Sequence, residues 1–154
     1  MQVNLDGLTT PETPEDAVML AMMQVGRRIK MRHRDDEIDA AAIPLLFTLQ
    51  CSGSVRLSDL AGRTRLDAST VSRQARQLED RGFLTRSEDP DDRRASRVTL
   101  SADGERALAE AMERRRDRIR DMLSTWDDAD RENLKALLTH LVRDLALANE
   151  LEKV

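Results

Sequence analysis

The chain has 154 residues, 40% hydrophobic, 35% charged and 2% aromatic, with a formal net charge of −4. That length allows one domain with a real core or two small lobes, and the scarcity of aromatics leaves packing to Leu, Ala, Val and Met, which favours helix on helix over a large sheet. The charge excludes a chain that is basic all over, the single Cys51 excludes a disulfide framework and fits a reducing cytoplasm, and no apolar run reaches the length of a membrane span.

The opening "MQVNLDGLTTPETPED" is acidic and polar, without the basic and apolar regions of a signal peptide, and its first dozen residues read as an arm. Thr13-Pro14-Glu15-Asp16 then supplies an N-cap, a proline at the first helical position and early acids. The helix it starts extends to about His33, with Val18, Met22, Val25 and Ile29 on one stripe. "RHRDDEIDA" is a charged connection. "AAIPLLFTLQCSG" reads as a short buried helix with Pro44 in its first turn, where proline is tolerated.

In "VRLSDLAGRTRL", Ser58 is the expected N-cap of a short helix through Leu60 and Ala61, with Gly62 and its successors carrying the turn. The stretch "DASTVSRQARQLEDRG" is a helix: Asp67 caps its start, Gly82 ends it, and Val71, Ala75 and Leu78 recur at three to four residues. "FLTR" and "SRVTL" have strand character, and the polar, proline-containing "SEDPDDRRA" between them makes a hairpin with a charged tip. Ser101 opens a long helix striped with Leu108, Met112, Ile119, Met122 and Trp126. The final helix carries Leu134, Leu137, Leu138, Leu141, Val142, Leu145 and Leu151 on a broad apolar face. So much amphipathic helix at both ends of a short chain predicts burial against another subunit. There is no internal repeat and no low-complexity segment.

The helix from Asp67 has an unusual exposed face: Ser69, Thr70, Ser72, Arg73 and Arg76. A solvated helix prefers Glu, Lys and Ala, because Ser and Thr are poor interior helix formers. From Arg63 to Arg76 there are four Arg against one Asp, a local net of +3 in an acidic chain. A basic patch of that kind suits a polyanion. Helix, tight turn, helix and hairpin make a winged helix-turn-helix, whose second helix enters the major groove of DNA. Small hydroxyl residues let that helix approach closely. Arg63 and Arg65, in the turn before it, are placed for phosphates.

The stretch "RLSDLAGRTRLDASTVSRQARQLEDRGFLTRSEDPDDRRASRVTLSADG", Arg56 to Gly104, resembles the core of the MarR family of regulators. The specific pieces are "TVSR", "LEDRGFLTR" and "DPDDRR…VTLSADG"; the flanking helices match the family in order and length more than in residues. The resemblance implies a mainly α fold: a winged helix-turn-helix lobe with a two-stranded wing (53–100), and a helical dimerisation region with core helices (14–52 and 101–151), all within one domain, 1–154. It implies a homodimer on a palindromic operator, usually a repressor, relieved by a small anionic or phenolic effector. The wing's Asp-x-Arg element falls on Asp92, which helps to hold the wing, and Arg94, which reaches the minor groove. Narrow minor grooves attract Arg. Arg93 either shares that role or contacts a phosphate.

The remaining features have plainer readings. Arg114, Arg115, Arg116, Arg118 and Arg120 read as a solvated helix face paired with nearby acids. Cys51 ends an apolar helix and reads as a small buried hydrophobe rather than a redox sensor. One Cys and two separated His do not make zinc-ligand spacing. His33 and His140 read as surface or interface residues, and Met19, Met22, Met23 and Met31 as core or dimer packing. No cofactor or metal is expected. An enzyme finds no support in a glycine-rich phosphate loop or a nucleophile–base pair. A winged-helix dimer that acts through a protein partner is the alternative, and the retained arginines of helix and wing weigh against it.

Overall fold

The computed structural model describes residues 10–30, 37–64, 66–92 and 95–151. Six α-helices and one three-stranded sheet lie among them. Helix α1, Pro14–Lys30, starts as its sequence dictates: the Asp16 amide donates to Thr13 Oγ1 at 3.2 Å and the Ala17 amide to the Thr13 carbonyl at 3.0 Å. The continuation to His33, and with it Met31, lies outside the described residues. A 3-10 turn, Ala40–Ala42, is capped by Asp39, whose carboxylate accepts from the Ala41 amide at 3.0 Å. It leads into α2, Ile43–Ser52, with Pro44 in the first turn.

Strand β1, Val55–Arg56, is a third strand that the sequence pattern does not announce. It pairs antiparallel with β3, Val55 opposite Val98 and Arg56 opposite Arg97. Helix α3, Leu57–Thr64, begins as soon as that pairing ends. Ser58 therefore falls inside the first turn instead of capping it, and its hydroxyl bonds to Asp59 Oδ1 at 3.2 Å. Helix α4, Ala68–Asp80, has Asp67 as its N-cap. It ends at Gly82, whose φ of 77° admits glycine readily and other residues at a cost. Strands β2, Leu84–Glu88, and β3, Ser96–Leu100, form the wing hairpin in register from Leu84 opposite Leu100 to Glu88 opposite Ser96, and the sheet order is β1-β3-β2.

Helix α5, Ala102–Met122, is capped by Ser101, which accepts from the Gly104 amide at 3.0 Å and donates to the Gly82 carbonyl at 2.6 Å. Helix α6, Asp128–Leu151, is capped by Asp127 through the Asp130 amide at 2.8 Å. No helix among the described residues is long and apolar enough to cross a membrane.

The chain forms two compact units, 1–115 and 116–154. In the first, one core joins Leu45, Leu46 and Leu49 of α2, Leu60 of α3, Val71, Ala75 and Leu78 of α4, Val55, Leu84 and Val98 of the sheet, and Ala107 and Leu108 of α5. The core that holds the winged helix thus draws on the flanking helices as well. Two further readings change. Cys51 is exposed, because α2 turns Leu45, Leu46 and Leu49 to the core and Cys51 falls off that face. Arg115 is buried, its guanidinium folded back to donate to the Ala111 carbonyl at 2.8 Å, so it does not belong to a solvated face. In the second unit, Arg131 donates to the carbonyls of Leu123 and Ser124, at 2.9 and 3.3 Å, where α5 ends. On α6, Leu138, Val142 and Leu145 stand exposed on one stripe, and on α1 of the first unit Val18, Met19, Met22 and Met23 do so.

Candidate nucleic-acid interface

Helix α4 is two-faced. Val71, Ala75 and Leu78 are buried, while Ser69, Ser72, Arg73 and Arg76 are exposed and Thr70 is half-buried. Apolar contact on one side fixes the helix axis, so the opposite side is held out rigidly. At the helix start, Asp67 accepts from the Thr70 amide at 2.7 Å and from the Ser69 hydroxyl at 2.6 Å. Ser69 is therefore also part of the cap; its proton is spent on Asp67 and its oxygen remains an acceptor. Gln74 lies nearer the core than its arginine neighbours, its amide nitrogen donating to the Ala41 carbonyl at 3.3 Å. Arg63, on the last turn of α3, is exposed and donates to Ser52 Oγ at 2.9 Å. Arg65, Arg93 and Arg94 lie outside the described residues.

The wing is tied to this helix and to β1. Arg86 of β2 pairs with Glu79 of α4 at 3.0 Å and donates to Ser96 Oγ at 3.2 Å. Asp89, the residue after β2, is buried and gathers Arg56, Arg97 and the amides of Asp91 and Asp92. Asp92 contributes its backbone to this turn, its carbonyl accepting from the Ala95 amide at 2.9 Å. Asp89 escaped the sequence reading, although Asp before Pro is a recognisable turn signal, since its carboxylate can accept from amides two and three residues on. Its arginine partners lie 33 and 8 residues away and carry no local mark.

Both carboxylates sit well below the usual acid range. For Asp67 the causes are hydrogen bonds from the Ser69 and Thr70 side chains and the Thr70 amide; for Asp89 the Arg56 guanidinium leads and outweighs burial. A carboxylate depressed by folding contributes stability that is complete above its unfolded value near ~4 and is lost as pH falls through the folded value. Asp67→Ala should therefore lower the Tm by about 2–5 °C at neutral pH, with the gap to the parent chain closing below about pH 4. Thermal melts followed by circular dichroism from about pH 2 to about pH 7 check this; a gap that widens in acid would refute the assignment.

Among the described residues, no three His, Cys, Asp or Glu side chains come together as a metal site. His140 is exposed on α6, 3.6 Å from Asp144. A cleft of about 240 Å³ runs beside α4, lined by Asp39, Ala41, Arg73, Gln74, Gln77 and Arg81 among others.

The MarR family model matches residues 38–96. The chain is 32% identical over 108 residues to the uncharacterized HTH-type transcriptional regulator YxaD of Bacillus subtilis, across 70% of this chain and 76% of that protein. Its fold is similar to that of a mutant MarR from E. coli, with a TM-score of 0.76 at 16% identity over 87% of this chain and 99% of that one. The same mutant complexed with operator DNA gives 0.61 at 17% identity, over 82% and 91%. BpsR of Bordetella bronchiseptica, whose DNA binding is regulated by 6-hydroxynicotinic acid, gives 0.61 at 25% identity, over 83% and 97%.

Proposed function

The chain belongs to the MarR family of transcriptional regulators, and from that premise we propose that it is a cytoplasmic, homodimeric repressor of a palindromic operator. The observation that carries the reading is the two-faced α4: a buried Val71, Ala75 and Leu78 opposite an exposed Ser72, Arg73 and Arg76. A helix of this width fits the major groove, and Arg can bond guanine at two points. Arg73 and Arg76, with Ser69, Thr70 and Ser72, read or position bases. Arg63 and Arg65 grip phosphates. Arg94, helped by Arg93, enters the minor groove, and Asp92 helps to hold the wing.

The segments 14–52 and 101–151 supply the dimerisation region and the lobe 53–100 supplies the reader. Two copies of α4 then enter successive major grooves about 34–36 Å apart. The net charge of −4 repels DNA from the other faces and favours one docking orientation. A small anionic or phenolic effector relieves repression by preferring a spacing of the two helices that DNA does not accept. BpsR and its 6-hydroxynicotinic acid support that element, and the cleft beside α4 offers Arg73 and Arg81 to an anion.

Fluorescence anisotropy on DNA fragments from the region upstream of the protein's own gene tests the reading, over a salt series. One fragment should bind tightly, and affinity should fall steeply as salt rises. Arg73→Ala should weaken that complex by about 5–100-fold. Equal, weak binding of every fragment by both proteins would overturn it.

A further inference from the structure

A single carboxylate organises the base of the wing. Asp89 is 2% exposed and accepts five hydrogen bonds. Arg56 supplies two, Nε at 2.7 Å and Nη2 at 2.8 Å; Arg97 Nη1 supplies one at 3.1 Å; the amides of Asp91 and Asp92 supply the others at 3.0 and 3.1 Å. The Asp89 amide in turn donates to the Ala95 carbonyl at 3.2 Å. Arg97 also reaches Ser54, with 3.1 Å to Oγ and 2.7 Å to the carbonyl oxygen. The wing turn, the start of β3 that follows it, and β1, whose Arg56 lies 33 residues from Asp89 in sequence, therefore meet at one side chain. Arg56 is the last residue before α3, so the clamp joins the wing directly to the first helix of the helix-turn-helix.

Stability alone does not account for such a cluster. A buried ion pair generally stabilises no better than apolar side chains of equal volume. What it does supply is direction, because a two-pronged guanidinium–carboxylate pair fixes orientation as well as distance. We propose that Asp89 is the positioning residue of the DNA-binding wing, clamping the wing turn to β1 and α3 so that wing and helix-turn-helix engage DNA as one rigid reader. This rests on the reading of the wing as a minor-groove contact. Asp89 itself touches no DNA in this scheme; a carboxylate would repel phosphate. It acts through the turn it holds. Without the clamp, DNA binding has to order that turn, and affinity falls by the fraction of molecules in which the wing is competent.

The test uses the full chain and the operator fragment identified above, with the parent protein, Asp89→Asn, Arg94→Ala and the double variant compared at a temperature where all are folded by circular dichroism. Each single variant should bind about tenfold more weakly. The double variant should be no more than about twofold weaker than either single one, because both substitutions remove the same contact. Arg73→Ala should still have its full effect in the Asp89→Asn background, and hydroxyl-radical footprinting of Asp89→Asn should lose minor-groove protection at the wing positions alone. Parent-like affinity in Asp89→Asn beside a weakened Arg94→Ala would overturn the proposal alone, as would losses that multiply in the double variant. Parent-like affinity in Arg94→Ala would overturn the minor-groove reading and the proposal with it. If Asp89→Asn does not fold, Arg97→Lys, which keeps the charge and loses the fork onto Ser54 and Asp89, carries the same comparison.

Discussion

Gly104→Ala is expected to destabilise the protein by at least about 3 kcal/mol and to lower its Tm by about 6–12 °C. A Cβ at this position would lie 2.1 Å from the Phe83 carbonyl oxygen and 3.0 Å from its carbon, with Leu100 Cδ2 at 3.2 Å. The obstacle is backbone, so no rotamer change relieves it. Nor can that carbonyl move freely. It accepts from the Ser101 amide at 3.1 Å, and Ser101 is bound on one side to Gly82 and on the other to Gly104. The first turn of α5 and the segment Gly82-Phe83 that follows α4 are thus sewn tightly together. Relief would push α5 off the sheet, and the next turn of α5 carries Ala107 and Leu108 into the core. Gly62→Ala is the control: nothing lies within 4 Å of its Cβ, and it sits inside α3, where Ala is the better helix former. A thermal melt in which Gly104→Ala matched Gly62→Ala would contradict the packing described here.

Helix α4 was legible from end to end. Its cap, its apolar spacing and its terminal glycine are local signals, and each found its place: Asp67 on the Thr70 amide, Val71, Ala75 and Leu78 in the core, Gly82 at positive φ. The hairpin was legible for the same reason, since alternation and a proline turn are written within twenty residues. What escaped depends on partners far along the chain. Two residues, Val55 and Arg56, make no strand signal by themselves; they are a strand because β3 lies beside them, more than forty residues later. Asp89 is one acid among four in "SEDPDDRRA", and only the arrival of Arg56 and Arg97 makes it the buried one. Arg115 sits in a run of arginines that sequence treats alike, yet the chain buries it and turns it onto the Ala111 carbonyl. Of the interface residues expected, the structure places Ser69, Ser72, Arg73 and Arg76 on the exposed face of α4 and Arg63 on α3; it adds the cap role of Ser69.

Paired substitution of Leu138→Lys and Val142→Lys is expected to leave a folded chain that no longer dimerises and that binds its operator at least about a hundredfold more weakly. The reasoning starts from α6 itself. Leu138, Val142 and Leu145 follow one another at four and three residues, so they share a stripe, and they are 48%, 64% and 54% exposed. An isolated leucine on a surface needs no explanation, but a stripe of them along a helix of 24 residues does. Each gains about 1–2 kcal/mol on being covered, and a two-fold interface applies that gain twice. Lysine is a good helix former, so α6 itself should tolerate the change at exposed positions. Four added charges per dimer placed face to face would not be tolerated. Loss of the dimer has its effect on DNA through linkage. One half-site bound by one subunit holds the second subunit at high effective concentration over the other half-site, and a monomer forfeits that advantage entirely. Sedimentation equilibrium should give the 17.4 kDa chain mass for the variant and twice that for the parent. Anisotropy on the same samples should show the fall in affinity, with the Arg73→Ala effect surviving on a half-site fragment. A variant that stayed dimeric would place the interface elsewhere than on this stripe, and one that was monomeric yet bound the full operator as tightly as the parent would refute the two-helix docking.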